Sequence, residues 1–503
     1  METSQKFSKF REIFFPIHNY ELKKVVPLGC ILFFSLFNHY CLKNIKDALI
    51  VTNAGAEAIA FIKLFCIPPC AILFMLLYTK LSDRLKNEHL YYATLCFFVS
   101  FFILFTFVLY PLNAWIHPNP ETVKYFQKLF PSCFWLFSIW GIWSYALFYV
   151  FAELWSSFIL TLLFWQFVNQ ITSLGEAKRV YAFLVLLGQF AVTLSGVIGA
   201  LASNIRDRVA QNTDPWQITL YWLIGIVVIN SILSMWIYHW IYRNVLTDKR
   251  FYDKPELPGI KLKSKKKSSL LQSLKIVFRS PYLGLIALLV MCYGINDNIV
   301  ENFWKHELGQ LYTNINAYNT FMNHYTMAYG ILSMIVLLVA GNIFRRFHWG
   351  VGAILTPLVL SIGGMGLFVS ILSKNFFMQH MGSILGFQTM IVVVGVVVLV
   401  LDKAFKMSFF DISKEMAFIP LNEELKVKGK AIVDVFGYRF GKSAGSGLQV
   451  ILLTVVTALS GVQATYADIA IYAFIIFLIC SLLWIVAVLR LSRHIRKNKI
   501  DQC

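Results

Sequence analysis

Four positions in this chain set an ionisable side chain inside apolar sequence, where such a group is expensive and therefore a candidate for function. Lys63 lies in Ala58-Ile59-Ala60-Phe61-Ile62-Lys63-Leu64-Phe65, too far into its apolar run to reach head groups easily. Glu153 lies in Phe148-Tyr149-Val150-Phe151-Ala152-Glu153-Leu154-Trp155, within the longest apolar stretch, and a carboxylate there must be protonated or face a cation such as Lys63. Glu301 closes Gly294-Ile295-Asn296-Asp297-Asn298-Ile299-Val300-Glu301, and Asp297, four residues earlier, shares its helix face and repels it. Lys442 follows Arg439 in Gly437-Tyr438-Arg439-Phe440-Gly441-Lys442-Ser443-Ala444-Gly445. Two cations, small residues and an expected helix N-terminus there favour a polyanion. Each position also has a structural explanation: a snorkelled or ion-paired lysine, an interhelical hydrogen bond, a head-group contact.

Taken together, lysines and an arginine in an apolar cavity suit a ligand with several negative charges and an aromatic part. At 16% aromatic content there are rings enough to stack a base, but such abundance is ordinary for membrane interfaces, so no particular ring is singled out. The segment from Gly437 to Ser443 is not an ATPase P-loop. That motif needs four residues between its first Gly and Gly-Lys after a strand; here Tyr438, Arg439 and Phe440 intervene and no strand precedes. Cys66 and Cys70 are separated by Pro68-Pro69 with no His or second Cys pair to complete a metal site, and no cofactor motif is found. The nine cysteines, an odd number lying mostly in apolar runs, predict no disulfide framework. His39, His306, His324 and His348 stand singly, which argues against a membrane enzyme built on a His-Asp pair.

The elements that must position these groups are membrane spans. With 58% hydrophobic and 14% charged residues and a mean hydropathy of +0.65, a chain of 503 residues has the bilayer as its solvent. A hydrocarbon core of about 30 Å takes about 20 apolar residues per helix. Runs of that length predict spans at 25–42, 58–79, 90–112, 134–168, 180–202 and 216–241, then 281–300, 323–344, 351–373, 383–401, 444–462 and 467–489, the fourth long enough to bend. Period-2 alternation is missing, which excludes a β-barrel. The expected fold is therefore an all-α membrane protein of about 12 transmembrane helices in two six-helix bundles, major-facilitator-like, with the ligand at the bundle interface. Its expected parts are an N-terminal segment 1–24, a first bundle 25–242, a linker 243–280, a second bundle 281–489 and a tail 490–503.

The linker holds Pro255, Pro258, Gly259 and the run Lys261, Lys263, Lys265, Lys266, Lys267. It shares its side with the basic N-terminus, Lys80-Arg84-Lys86, Lys178-Arg179, Arg345-Arg346, the 403–442 loop and Arg490 to Lys499. By the positive-inside rule both termini are expected in the cytoplasm. The formal charge of +19 suits anionic lipid on that face; nucleic acid is not expected as a partner, since no soluble domain surrounds the lysines. The first 24 residues do not form a signal peptide.

Several strings are long, ordered and unusual: Lys43-Asn44-Ile45-Lys46-Asp47-Ala48-Leu49-Ile50-Val51-Thr52, Ala152-Glu153-Leu154-Trp155, Leu163 to Thr172 with Glu176-Ala177-Lys178-Arg179, Lys414-Glu415-Met416-Ala417-Phe418-Ile419-Pro420-Leu421, and Lys426-Val427-Lys428-Gly429-Lys430-Ala431. Over essentially the whole chain they resemble the nucleotide transporter (ATP/ADP translocase) family of plastids and obligate intracellular bacteria. The resemblance implies a transporter rather than an enzyme, in a cell inner membrane, exchanging host ATP for internal ADP without hydrolysis. It also implies that Lys63, Glu153, Glu301 and Lys442 carry transport; by their charges, Lys63 and Lys442 are expected to hold the phosphates while Glu153 and Glu301 restrain those lysines in the empty state. Two strings depart from the family pattern, Asn296-Asp297-Asn298 before Glu301 and Ala444 after Gly-Lys-Ser. The alternatives of another nucleotide (GTP, UTP, CTP), of proton coupling and of another organic phosphate stay open, as do the base, the stacking ring and the oligomeric state.

Overall fold

Twelve helices of the computed structural model are long and apolar enough to cross a membrane. The structure describes residues 17–18, 21–172, 174–204, 214–247, 280–346, 348–374, 376, 384–421, 433 and 437–497. Most of the expected linker, the first 16 residues and the end of the tail lie outside them. In chain order the spans are α1 (Leu22–Ala54), α2 (Glu57–Arg84), α3 (Asn87–Leu109), α4 (Trp143–Ile171), α5 (Phe183–Ser203), α6 (Pro215–Asn244), α7 (Pro281–Leu311), α8 (Ile315–Ala340), α9 (Trp349–Leu372), α10 (Leu385–Ala417), α11 (Phe440–Ser460) and α12 (Tyr466–Arg496).

Each expected span is present, but several helices run on past the point where charge ended the apolar run. α1 continues through Lys43, Lys46 and Asp47 to Ala54 and stops only at Gly55, whose φ of +88° is a backbone conformation that side chains disfavour. α7 extends beyond Glu301 to Leu311 and α10 beyond Lys403 to Ala417, so the expected 403–442 loop begins well after residue 403. The long fourth run divides instead: Phe134–Gly141 is a separate helix, broken from α4 at Ile142.

Four spans carry turns wound wider than an α-helix, three of them at or near buried charges and one, Phe105–Leu109 of α3, away from them. In α2 the stretch Ile62–Cys66, which includes Lys63, is π-helical, with the Ile67 N–H bonded to the Ile62 carbonyl. Pro68 and Pro69 follow directly; lacking N–H groups, they free the carbonyls four residues back and let the ladder slip by one. The π segment Ser156–Phe164 begins three residues after Glu153, and Lys406–Phe410 three after Lys403. Such turns are uncommon and concentrate at functional sites.

The spans form two six-helix bundles. In the first, α1 packs on α4, α5 and α6; in the second, α7 packs on α10, α11 and α12, with α9 against α10 and α12. The bundles meet where α5 crosses α8, α1 crosses α7 and α8, and the start of α2 meets α11. Side-chain bonds between them gather away from the linker: Asn44 to Asn323 (2.8 Å), Ser203 to Asn319 (2.8 Å), Thr219 to Asn316 (2.8 Å) and the Trp135 indole to the Ala464 carbonyl (3.3 Å). By contrast, Ile67–Arg84 of α2 contains no buried residue. The interface is thus bonded mainly on the far side, with Gln189 to Met407 (3.0 Å) joining the bundles nearer the linker.

At the α5–α8 crossing a Cβ on Gly196 would come within 2.6 Å of the Asn323 carbonyl and the Met327 nitrogen, both backbone atoms that cannot step aside. Gly196→Ala is expected to destabilise the protein by about 1–3 kcal/mol, in the range for overpacking. Gly366→Ala, with nothing near its Cβ, is not. Thermal midpoints of the two variants in detergent distinguish these outcomes.

Candidate functional site

α1 presents Lys43, Lys46 and Asp47 on one face, three and four residues apart, toward the place where the bundles meet. α7 answers with a stripe of Asp297, Glu301 and Lys305, each one turn beyond the last. Between them the first bundle adds Lys63 from α2 and Glu153 from α4, and the second adds Asp402 and Lys403 from α10 and Lys442 from α11. Burial of so much charge is tolerable only with pairing. Lys46 pairs with Glu153 and lies over the Tyr149 ring, 3.8 Å from its centre. Lys305 meets Asp47 at 2.8 Å and Glu301 at 3.0 Å; Glu301 is also 3.6 Å from Lys43 and from Lys403. Asp297, fully buried, pairs with Lys403 and is 3.3 Å from Lys442. The Tyr293 hydroxyl donates to Asp402 (3.2 Å).

Lys63 differs from the other lysines. Its charged neighbours are Glu153 of the first bundle and Glu301, Lys305 and Lys442 of the second. Among the described residues no carboxylate comes within ion-pair distance of it. Lysines therefore outnumber carboxylates in the cluster, and the surplus positive charge is on a half-buried side chain. The most exposed members, Glu153 (35%), Lys442 (27%) and Lys43 (22%), mark where the cluster opens to solvent.

Most of the expected site residues are brought together: Lys63, Glu153, Asp297, Glu301 and Lys442 belong to one cluster. The side chain of Arg439 lies outside the described residues. The pairing differs from expectation, since Glu153 is held by Lys46 rather than Lys63, and Lys442 is held by Asp297. Asp297 and Glu301 do not simply repel, because Lys403 is shared between them. Glu301 is not at the end of its span but in the interior of α7. The helix bearing Lys442 already starts at Tyr438, so Lys442 is in its second turn rather than at its N-terminus. The small residues around it serve packing: a Cβ on Gly441 would be 2.7 Å from the Met291 carbonyl, so they admit α7 rather than a ligand. Behind the contact, Asn298 accepts from Gln449 (2.9 Å) and Ser446 (3.2 Å), and Asn302 donates to Gln449 (2.9 Å), fixing Lys442 against Asp297.

Lys43, Lys46, Asp47, Lys305, Asp402 and Lys403 were not singled out from sequence, although Lys43 to Asp47 stand in a string that carried the family resemblance. An available signal was the lack of any Gly or Pro between Gly29 and Gly55, which allows one unbroken helix after Pro27. Lys403→Met removes the cation shared by Asp297 and Glu301 and is expected to cost about 3–5 kcal/mol, as when one partner of a buried pair is lost. Lys63→Gln breaks no pair and is expected to keep the wild-type thermal midpoint; the two variants, compared in detergent, test this difference.

The site has the form of a charged cluster between two bundles, and comparison with known proteins identifies the fold and the family that carry it. Among solved structures, a bacterial homologue of the iron transporter ferroportin in an inward-facing state superposes with a TM-score of 0.58 at 12% identity, covering 95% of this chain and 100% of that one. A nucleoside transporter superposes at 0.50 with 14% identity, covering 93% and 99%. At such identities they show the fold alone, that of the major-facilitator transporters. Sequence goes further. A protein named ADP,ATP carrier protein 1 from Chlamydia pneumoniae is 39% identical over 98% of this chain and 95% of its own. A protein of the same name from Rickettsia conorii is 39% identical over 97% and 96%. The profile of the TLC ATP/ADP transporter family matches residues 1–495, and the chain belongs to that family of transporters.

Proposed function

We propose that this protein exchanges ATP for ADP across a bacterial inner membrane by alternating access, with the phosphate chain bound between Lys63 of the first bundle and Lys442 of the second. The observation that carries this reading is Lys63, which has no carboxylate within ion-pair distance among the described residues and sits among charged groups of both bundles. An anionic ligand supplies the missing counter-charge there and competes with Asp297 for Lys442, so binding and release of internal ion pairs are one event. Charge-assisted bonds from lysine to phosphate oxygens are the strong class of hydrogen bond. Without such a ligand the lysines stay on their carboxylates and the bundles keep their arrangement, which makes transport an exchange rather than a leak. Glu153 and Glu301 act through Lys46 and through Lys43 and Lys305. Membership of the family and the ATP and ADP in its name support the nucleotide; the basic loops support a cytoplasmic linker and cytoplasmic termini. The parts 25–242 and 281–489 rock against each other as units.

In vesicles containing the purified protein, labelled ATP is expected to enter when ADP is inside and to enter at least about tenfold more slowly when the vesicles are empty. Equal uptake in both would refute exchange, and competition by GTP, UTP or inorganic phosphate as strong as that by ADP would refute the nucleotide. Lys63→Gln is expected to raise KM for ATP about tenfold, the loss of one charge-assisted bond. An unaltered KM removes Lys63 from the phosphate site.

A further inference from the structure

A second layer of charge closes the far side of the cleft, beyond Lys63 and Lys442. Asp47 on α1 is fully buried, and Lys305 on α7, 2% exposed, reaches it at 2.8 Å from the opposite bundle. No other donor among the described residues reaches either Asp47 oxygen. Among the described residues Lys305 is its only ion-pair partner, and Lys305 is shared, pairing with Glu301 one turn away on its own helix at 3.0 Å. Glu301 is divided in turn, with Lys43 and Lys403 each at 3.6 Å. Next to Lys305 on the same helix, His306 Nδ1 is 2.9 Å from Glu57 at the start of α2, and Glu57 also accepts the Tyr466 N–H at 2.9 Å. This is the boundary that must part for the cleft to face the far side. Parting it strands Asp47 and Lys305 in a medium of low dielectric until water arrives.

We infer that Lys305 is the positioning residue that couples ligand binding to far-side opening, handed from Asp47 to Glu301 when phosphate occupies the cleft. The inference rests on the exchange reading above. A bound phosphate chain draws Lys43 and Lys403 away from Glu301. Glu301, left with one cation, then holds Lys305 more completely, and the bond to Asp47 across the bundles weakens. Lys305 touches no nucleotide; it reports occupancy of the site to the interface. Without ligand, Glu301 is divided among Lys43, Lys403 and Lys305, and Lys305 keeps its contact with Asp47, so the far side remains shut. Strict exchange follows from that one shared ammonium group.

The test uses vesicles containing the full chain, in two arms. Exchange is read as entry of labelled ATP against internal ADP; leak is read as loss of labelled internal ADP into nucleotide-free medium. Wild type that fails to exchange refutes the proposed function itself, whereas wild type that exchanges without leaking leaves the coupling to be tested. Asp47→Asn, which keeps shape and removes charge, is expected to raise the ratio of leak to exchange about tenfold. Asp47→Glu, which keeps charge, is expected to hold the ratio low. If Asp47→Asn does not reach the membrane, Lys305→Gln is read in its place with the same expectation, and Lys305→Arg serves as its charge-keeping control. A ratio unchanged in the neutral variant overturns the inference, and so does a ratio raised equally in the charge-keeping one, which indicates loosened packing.

Discussion

The low dielectric between the two bundles governs this molecule. A lysine or carboxylate at the centre of a span costs about 2.5–3.5 kcal/mol by insertion scales, and the cost is met by placing opposite charges within reach. Asp297, Asp47 and Lys305 are almost completely buried, and each has an oppositely charged partner on a neighbouring helix. The helices are held in place by these pairs as much as by apolar contact. Surrounded by lipid tails as apolar as the side chains themselves, helices gain little from hydrophobic association, and buried polar groups specify which faces meet.

Shared partners make the cluster responsive. Lys305 serves two carboxylates, Lys403 serves Asp297 and Glu301, and Glu301 is approached by three lysines. A group divided among partners can be redistributed without ever being left alone, so the barrier to rearrangement is lower than for isolated pairs. The neutral network of Asn298, Asn302, Ser446 and Gln449 behaves differently, since its members bond within one bundle and fix α7 to α11. Movable charge at the interface and fixed amides behind it divide the labour between motion and rigidity.

The spans were legible in the sequence because about 20 apolar residues in succession leave few other structures open. Lys63, Glu153 and Glu301 stood out as candidates because each stands in a run that lipid should have kept free of charge, and Lys442 because Arg439 and small residues accompany it just before a span. What misled was the use of charge to mark helix ends. Lys43, Lys46 and Asp47 fall after the apolar stretch of α1, and Lys403 falls just after that of α10, so all were placed in loops. Only their partners on α7 and α4 make those turns tolerable inside the protein, and no window along one helix contains that information. Pairing was hidden for the same reason: Lys46 is 107 positions from Glu153, and nothing local favours it over Lys63. The glycines before and after Lys442 misled in another way, since a small residue permits close approach of a helix backbone as readily as of a ligand.

The widened turns of α2, α4 and α10 have a consequence for the history of the chain. Each holds one residue more than a regular helix needs over the same rise, and each α-helical residue turns the chain by about 100°. Deleting a single residue within Ile62–Cys66 or Lys406–Phe410 would let the helix close up regularly, leaving everything beyond in its proper orientation and rotating nothing on the far side of the cut. The same deletion one turn outside these segments would swing every later side chain to a different face. A one-residue change in length is accordingly tolerated best at these segments, and the wide turns are where the spacing of the charges is open to adjustment.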